Sequence, residues 1–590
     1  MKKLPLKFKI LMVGSMFLFM FLYMIVFGTR NAVIGFTIAL AAFMNLGNDL
    51  SYKPKTSFIK LSILFLILAI GAYLNNPITI FGCILTFFIV FGTTFSSYNL
   101  FGSDVYLPYL LVYFLMMNSS VSLEELPLRI ISLIFGALFI VALNVIFNKK
   151  KDLKLSKQTI TNLVKEVNKA IDLKLEGHEV SKKNFKTANG FYLSIFNKSE
   201  YKYLPYKEHE SVLNVVKAFQ HIGIILADYN LSKNELNYLK KTLDEIFEIN
   251  LNDICKSINV ETNEMYVVLL NLEIIVNEIK NKDLEKERIM PKKSFNSLFK
   301  SFIKYGLSFR SVKFTFAFKM ALILTFWEIL TLIFNLPYTK WLYFASIPLM
   351  QPYVDDVKYT SKARIQGTLM GAFLFIILAI VYPYSLLSLD AYSIFVIVIC
   401  MLGMIFKFDD KRIRTIFTTL MSITGALMYI SPKIAIVLKV LWVVVGTIVV
   451  SLFNFGFLPY SVEKETRNNL VISYDLNKKS MDLIKKRCLG EKYENKNSLL
   501  VISNIVRENI EITDDNLELY ELQGKITDMC NFILSYMEIY EFSDDFKSKM
   551  VNIIDNDADV EDSDEIKDTV IIRSMKYVKK LFNSENKLIN

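Results

Sequence analysis

Apolar residues in this chain fall in long blocks separated by polar stretches. Behind a basic start, Met1-Lys2-Lys3-Leu4-Pro5-Leu6-Lys7, an almost uncharged block covers residues 9–27. Further blocks follow at 32–46, 57–75, 77–95, 102–118 and 127–147. A helix needs about 20 predominantly apolar residues to cross a bilayer, so each block predicts a spanning segment. The first has an apolar core too long for a cleaved leader and no small-x-small site after it, so it is expected to be retained. At Asn148-Lys149-Lys150-Lys151 the chain turns to Lys, Glu and Asn and stays polar to about residue 305. There Ile160, Leu163, Val164, Val167 and Ile171 keep helical spacing, as do Leu236, Leu239, Leu243, Ile246 and Phe247, which predicts soluble helices. Six more apolar blocks occupy 314–335, 341–354, 363–382, 389–406, 412–430 and 433–458. From Ser461 onward the chain is again polar and helical, interrupted by an acidic stretch at 555–568.

The expected fold is therefore all-α: a polytopic membrane protein of two six-helix halves, twelve spans in all, each half followed by a helical domain. The boundaries fall at 1–148, 149–310, 311–460 and 461–590. Under this assignment Lys2, Lys3, Lys7, Lys9, Lys53, Lys55, Lys149 to Lys151, Arg310, Lys313, Lys358, Lys362, Arg364, Lys407, Lys411, Arg412 and Arg414 share one side, against Arg30, Lys340 and Lys433 on the other. The positive-inside rule then places both termini and both polar domains in the cytoplasm. A composition heavy in Lys, Asn and Ile points to an AT-rich bacterial genome, and the expected location is the bacterial cell (inner) membrane.

Composition narrows the classes further. With 53% hydrophobic and 21% charged residues over 590 positions, a wholly soluble protein is excluded. The net charge of +11 is explained by topology, so no nucleic-acid partner is expected. Cys83, Cys255, Cys400, Cys488 and Cys530 have no paired spacing, and His178, His209 and His221 all lie in the first polar domain. No zinc site, disulfide framework or intramembrane histidine relay is expected. Asp555-x-Asp557-x-Asp559 lacks the Gly and the final Glu of a calcium loop, since Val560 and Ile566 stand there. No nucleotide loop or nucleophile elbow is found, so neither an enzyme activity nor a cofactor is expected.

The halves carry traces of duplication. Asp49-x-x-Tyr52-x-x-Lys55 matches Asp356-x-x-Tyr359-x-x-Lys362 after the second block of each half. At a slightly different offset, Arg129, Gly136, Asn144 and Phe147 match Lys439, Gly446, Asn454 and Phe457 along the sixth. Halves with an even number of spans share one orientation, which predicts a pseudo-two-fold axis along the membrane normal with a pathway at their interface.

Trp341-Leu342-Tyr343, Pro348-Leu349-Met350-Gln351-Pro352, Lys362-Ala363-Arg364 and Gly367-Thr368-Leu369-Met370-Gly371-Ala372 together resemble the motif of the fusaric acid resistance and aromatic acid exporter superfamily. In that motif an aromatic-rich short helix ends in Gln-Pro and an Arg follows in the loop before a Gly-Thr-x-x-Gly helix. The layout resembles that family over the whole chain, whereas the specific residues lie within 341–372. The first half departs from it, with Met44-Asn45-Leu46 in place of Gln-Pro and Ser57 opposite Arg364. The family is similar to plant aluminium-activated malate channels, whose six-span subunits dimerise around an anion pore. The resemblance implies export of organic, often aromatic, acids, a homo-oligomer as one arrangement, and a periplasmic adaptor where the envelope is Gram-negative.

Each candidate residue has two readings. Lys55, Lys362 and Arg364 would draw a carboxylate to the cytoplasmic mouth, Arg364 gripping it bidentately, or they only enforce orientation. Trp341, Gln351 and Pro352 would line a pathway where the short helix breaks, or merely terminate it. Gly367 and Gly371 share a face suited to close helix packing. Glu328 is expected to face the protein interior, as a proton-coupling group or as a structural partner of a neighbouring helix. Arg129 and Lys439 would line an anion exit or snorkel to head groups. The functions to separate are a proton-driven exporter of organic anions, a passive organic-anion channel, and a membrane-anchored scaffold or sensor.

Overall fold

The computed structural model describes residues 6–47, 50–51, 54–98, 105–148, 151–180, 207–246, 263–280, 311–335, 340–381, 410–427, 431–491, 509–539, 541–556 and 566–589, with isolated residues elsewhere. Among these the secondary structure is helical, without strands. In chain order the helices are α1 Leu6–Phe27, α2 Thr29–Met44, α3 Pro54–Leu74, α4 Ile80–Ser97, α5 Tyr106–Asn118, α6 Leu126–Asn148, α7 Lys151–Leu175, α8 Lys207–Asp228, α9 Lys233–Asp244 and α10 Asn263–Lys280. They continue as α11 Val312–Phe334, α12 Lys340–Leu349, α13 Val357–Val381, α14 Lys411–Ala426, α15 Pro432–Gly456, α16 Val462–Cys488, α17 Leu517–Ile539, α18 Asp544–Asn556 and α19 Ile566–Ile589.

The chain divides into two compact units, residues 1–149 with 305–462 and residues 150–304 with 463–590. In the first, α3, α4, α6, α11, α13 and α15 are long and apolar enough to cross a membrane. Their outward faces carry Phe88, Leu369, Ile380 and Leu452, each at least half exposed. An apolar exterior of that extent requires lipid around it, and the protein is an integral membrane protein.

The twelve expected spans are not equal. The second and fifth elements of each half, α2, α5, α12 and α14, have only 16, 13, 10 and 16 residues. Ten residues rise about 15 Å, half of the ~30 Å hydrocarbon core. The expected span at 389–406 lies almost wholly outside the described residues. Helix α12 is short for a local reason: Pro352 restricts Gln351 to extended backbone, and the last helical residue is Leu349. By contrast α13 starts at Val357, six residues before its expected beginning, because nothing from Val357 to Arg364 breaks a helix. Arg364 accordingly sits inside a helix and not in the loop that the family motif implied.

Packing within this unit joins the halves. Helix α4 lies along α11, and α5 along α12. Helix α13 packs on α14, where Gly367 faces Thr415 and Gly371 faces Thr419. The second unit is a helical assembly in which α8 packs on α7, α10 and α17, and α17 packs on α19. Helix α9 opens with a capping box between Ser232 and Glu235.

Candidate functional site

Two polar clusters interrupt the apolar interior of the membrane unit. The first surrounds Glu328 on α11, whose residue is fully buried. Asn75, just beyond the end of α3, donates through Nδ2 to Glu328 Oε2 at 3.3 Å and to Thr86 Oγ1 at 2.9 Å. Thr86 on α4 also shares a 2.6 Å hydrogen bond with the Tyr113 hydroxyl on α5. Glu328 Oε1 and Asn75 Oδ1 are buried with no hydrogen-bond partner, and among the described residues no cation pairs with the carboxylate. Trp327 holds α11 to α12 by donating to Ser346 Oγ at 2.8 Å. Glu328 therefore faces protein and not lipid, at the meeting of α3, α4, α5 and α11.

The second cluster is cationic and belongs to α12, α13, α14 and α15. Arg364, half-buried, donates through Nη2 to the Phe344 carbonyl in the middle of α12 at 3.0 Å. Lys439 on α15 is 3% exposed, and its ammonium stands 5.7 Å from the ring centroid of buried Trp341. Another cation, Arg364, is close enough to act on its charge. Gln351 donates to the carbonyls of Pro348 at 3.0 Å and Met350 at 3.2 Å, while Lys411 Nζ reaches Gln351 Oε1 at 3.5 Å and Thr360 Oγ1 at 2.9 Å. Pro352 is half-buried beside it. Lys362 and Lys55 are exposed and join neither cluster.

Neither sixth-helix cation snorkels, which overturns the cheaper of the two expectations for them. Arg129 is 2% exposed and donates through Nε to Asn31 Oδ1 at 3.2 Å and through Nη1 to the Ser119 carbonyl. Near the other ends of the same helices, Asn144 donates to the Asn45 carbonyl at 2.7 Å, and Asn454 lies 3.6 Å from Met350 Sδ. In both cases the asparagine seats the residue that follows the short second helix.

Sequence reasoning passed over Lys319, which is 1% exposed on α11 with a partnerless ammonium. Its signal was available, since Lys319 breaks an apolar run as plainly as Glu328 does. The roles of Asn75, Thr86 and Tyr113 were not readable, because ordinary polar residues in a helical protein carry no mark of what they face.

Among the described residues the second unit offers no comparable site. A cleft lined by Asn214, Lys217, His221, Asn271, Asp528 and Phe532 encloses about 20 Å³, room for one water and not for an organic substrate. Asn271 donates through Nδ2 to His221 Nδ1 at 3.1 Å, and burial pushes the imidazole down to about 4. Residues 557–565 of the acidic stretch lie outside the described residues.

Against known proteins, residues 321–453 match the family model described as fusaric acid resistance protein-like. That segment is under a quarter of the chain and contains Glu328, Trp341, Gln351, Arg364, both helix-packing glycines and Lys439. No curated protein and no solved structure matches the chain.

Proposed function

We propose that this chain is a proton-driven efflux transporter of a bacterial inner membrane, exporting organic anions and in particular aromatic carboxylic acids. The observation that carries this reading is the pairing, within one apolar unit, of a sealed carboxylate and a separate group of cations. Neither has a counter-ion among the described residues. Burying such groups unpaired costs several kcal/mol each, so a fold that keeps both has a use for them. A cation-lined pocket attracts an anion, and a carboxylate between helices of both halves is placed to link its proton to their movement.

The same reading takes the membrane region as two six-element repeats, multi-pass, with both termini cytoplasmic. Three helix pairs support it: α2–α6, α3–α5 and α3–α6 in the first half correspond to α12–α15, α13–α14 and α13–α15 in the second. So do the sixth-helix cations. Arg129 meets Asn31, Lys439 meets Trp341, and both members of the second pair lie 310 residues after those of the first. Glu328 has Phe21 as its repeat counterpart, so the acid is present once. By the family resemblance the partners are the exported anion, an adaptor in a Gram-negative envelope and a second copy of the chain; no enzyme activity is included.

The test is transport by purified protein in liposomes. An exporter accumulates carboxylate against a gradient when a pH difference is imposed, and Glu328→Gln abolishes that accumulation. A passive channel keeps its flux in the Gln variant, and a scaffold moves no anion under either condition.

A further inference from the structure

We infer that Lys439 binds the carboxylate together with Arg364, and that this anion subsite exists only in the second half of the membrane unit. The inference rests on the reading of the chain as an organic-anion transporter and names residues for that step that the family motif does not include.

On α13, Arg364 Nε and Thr368 Oγ1 are buried without hydrogen-bond partners, and the two residues lie one turn apart on one face. On α15, which packs against α13, the Lys439 ammonium stands over the Trp341 ring within reach of the Arg364 charge, and Trp442 Nε1, three residues on, is buried without a hydrogen-bond partner. Among the described residues, two adjacent helices thus turn four donor groups inward with no protein acceptor. Two of the four are cationic, and like charges held together in an apolar surround repel. A ligand that only accepts hydrogen bonds and carries negative charge satisfies all of these requirements together, and a carboxylate does so with two oxygens.

The matching place in the first half is already filled by protein. Arg129 stands where Lys439 does, but two of its three nitrogens are held by protein, Nε by Asn31 and Nη1 by the Ser119 carbonyl, with only Nη2 outside these bonds. Asn31 occupies the position of Trp341, and Ser57 that of Arg364, so the second cation is missing as well. One half therefore holds its cation by internal hydrogen bonds, while the other leaves a cation pair exposed to the ligand.

The experiment measures binding apart from transport. Benzoate is titrated into detergent-purified full-length protein by calorimetry, with neutral benzamide as the isosteric control. Benzoate is expected to bind and benzamide not. Lys439→Gln is expected to weaken benzoate at least tenfold, Lys439→Arg to recover most of it, and Arg129→Lys to stay within twofold of the unaltered protein. Should Lys439→Gln fail to fold, the unaltered protein decides. Benzoate bound at Lys439 must change the tryptophan emission saturably, and Trp442→Phe must reduce that change. An unchanged affinity in Lys439→Gln, an equal loss in Arg129→Lys, or benzoate binding with no response from Trp442 overturns the inference while leaving transport intact. If the unaltered protein neither binds benzoate nor moves any carboxylate in liposomes, the transporter reading falls and this inference with it.

Discussion

Gly367 lies against the backbone carbonyl of Arg412: a Cβ at Gly367 would sit 2.8 Å from that oxygen and 2.6 Å from Thr415 Cβ. One turn further on, a Cβ at Gly371 would meet the Ile416 carbonyl at 2.7 Å. Backbone atoms cannot step aside as a flexible side chain can, so α13 and α14 approach this closely only because both positions lack a side chain. Gly367→Val is expected to lower stability by about 1–3 kcal/mol through overpacking. Gly92→Ala, with open space around it, is expected to be neutral or stabilising because Ala favours helix. Thermal unfolding of the purified protein in one detergent compares the two; equal effects would show that the contact contributes nothing.

The block pattern made the membrane helices legible because a run of about twenty apolar residues reports on the solvent and needs no tertiary partner. Where the outcome depended on a neighbour, the pattern misled. The short α12 read as a longer span because apolar residues recur beyond its end at Met350, Tyr353 and Val354, and α5 because its block was counted from Gly102. Arg364 read as a loop residue because the polar run from Lys358 to Arg364 looks like a connection, although it contains no Gly or Pro to break a helix. Glu328 announced itself by its charge; Thr368 and Trp442 did not, since an unmatched donor is defined by what fails to face it. The family motif supplied Trp341, Gln351 and Arg364 together, and the structure adds Lys439 to them through α15.

In the second unit, stability is expected to depend on pH in two opposed ways. Glu585 on α19 is fully buried, and burial pushes its carboxyl up to about 7 even though Gln523 and Asn477 act against the shift. The folded form thus stays protonated where the unfolded chain, near 4.5, has lost its proton. Its contribution is complete at low pH and falls as pH rises from 4.5 to about 7, by about 3 kcal/mol in all. His221, neutral when folded down to about 4, works in the other direction and loses its contribution as pH drops below 6.5. Hydrogen exchange of α19 in the full chain, at pH 5 and pH 8, tests the first effect. Glu585→Gln is expected to remove the weakening at pH 8 and leave the acid-side loss in place. The titratable groups that face this carboxyl, half-buried Tyr474 and buried Cys530, are both shifted upward and titrate above the window.

The orientation is tested by chemical access. A cysteine near Glu124 or Leu387 is expected to react with an impermeant reagent added to intact cells, and one near Lys280 only after the membrane is opened. Glu124 precedes α6 in a short exposed turn, so access there is not limited by burial. The reverse labelling would invert the unit in the membrane and move the second unit to the other side.

Arg364 and Lys362 lie two residues apart yet are expected to answer salt differently. Lys362 is exposed, whereas Arg364 is half-buried, about 10 Å along α13 from its first residue, with its guanidinium on the Phe344 carbonyl. Screening at ~0.15 M confines the influence of exposed charges to about 8 Å but acts weakly on a group inside the bundle. Lys362→Gln should therefore slow transport slightly at low salt and not at all at physiological salt. Arg364→Gln should raise the substrate concentration for half-maximal transport about tenfold at both, the loss expected for a charge-assisted hydrogen bond of ~1.5 kcal/mol. Arg364→Lys should recover part of that loss, since it restores charge without the planar fork. Rates are measured against substrate concentration in liposomes and normalised to inserted protein. A curve for Arg364→Gln that overlays the unaltered one would reduce Arg364 to an orientation signal and take it out of the site.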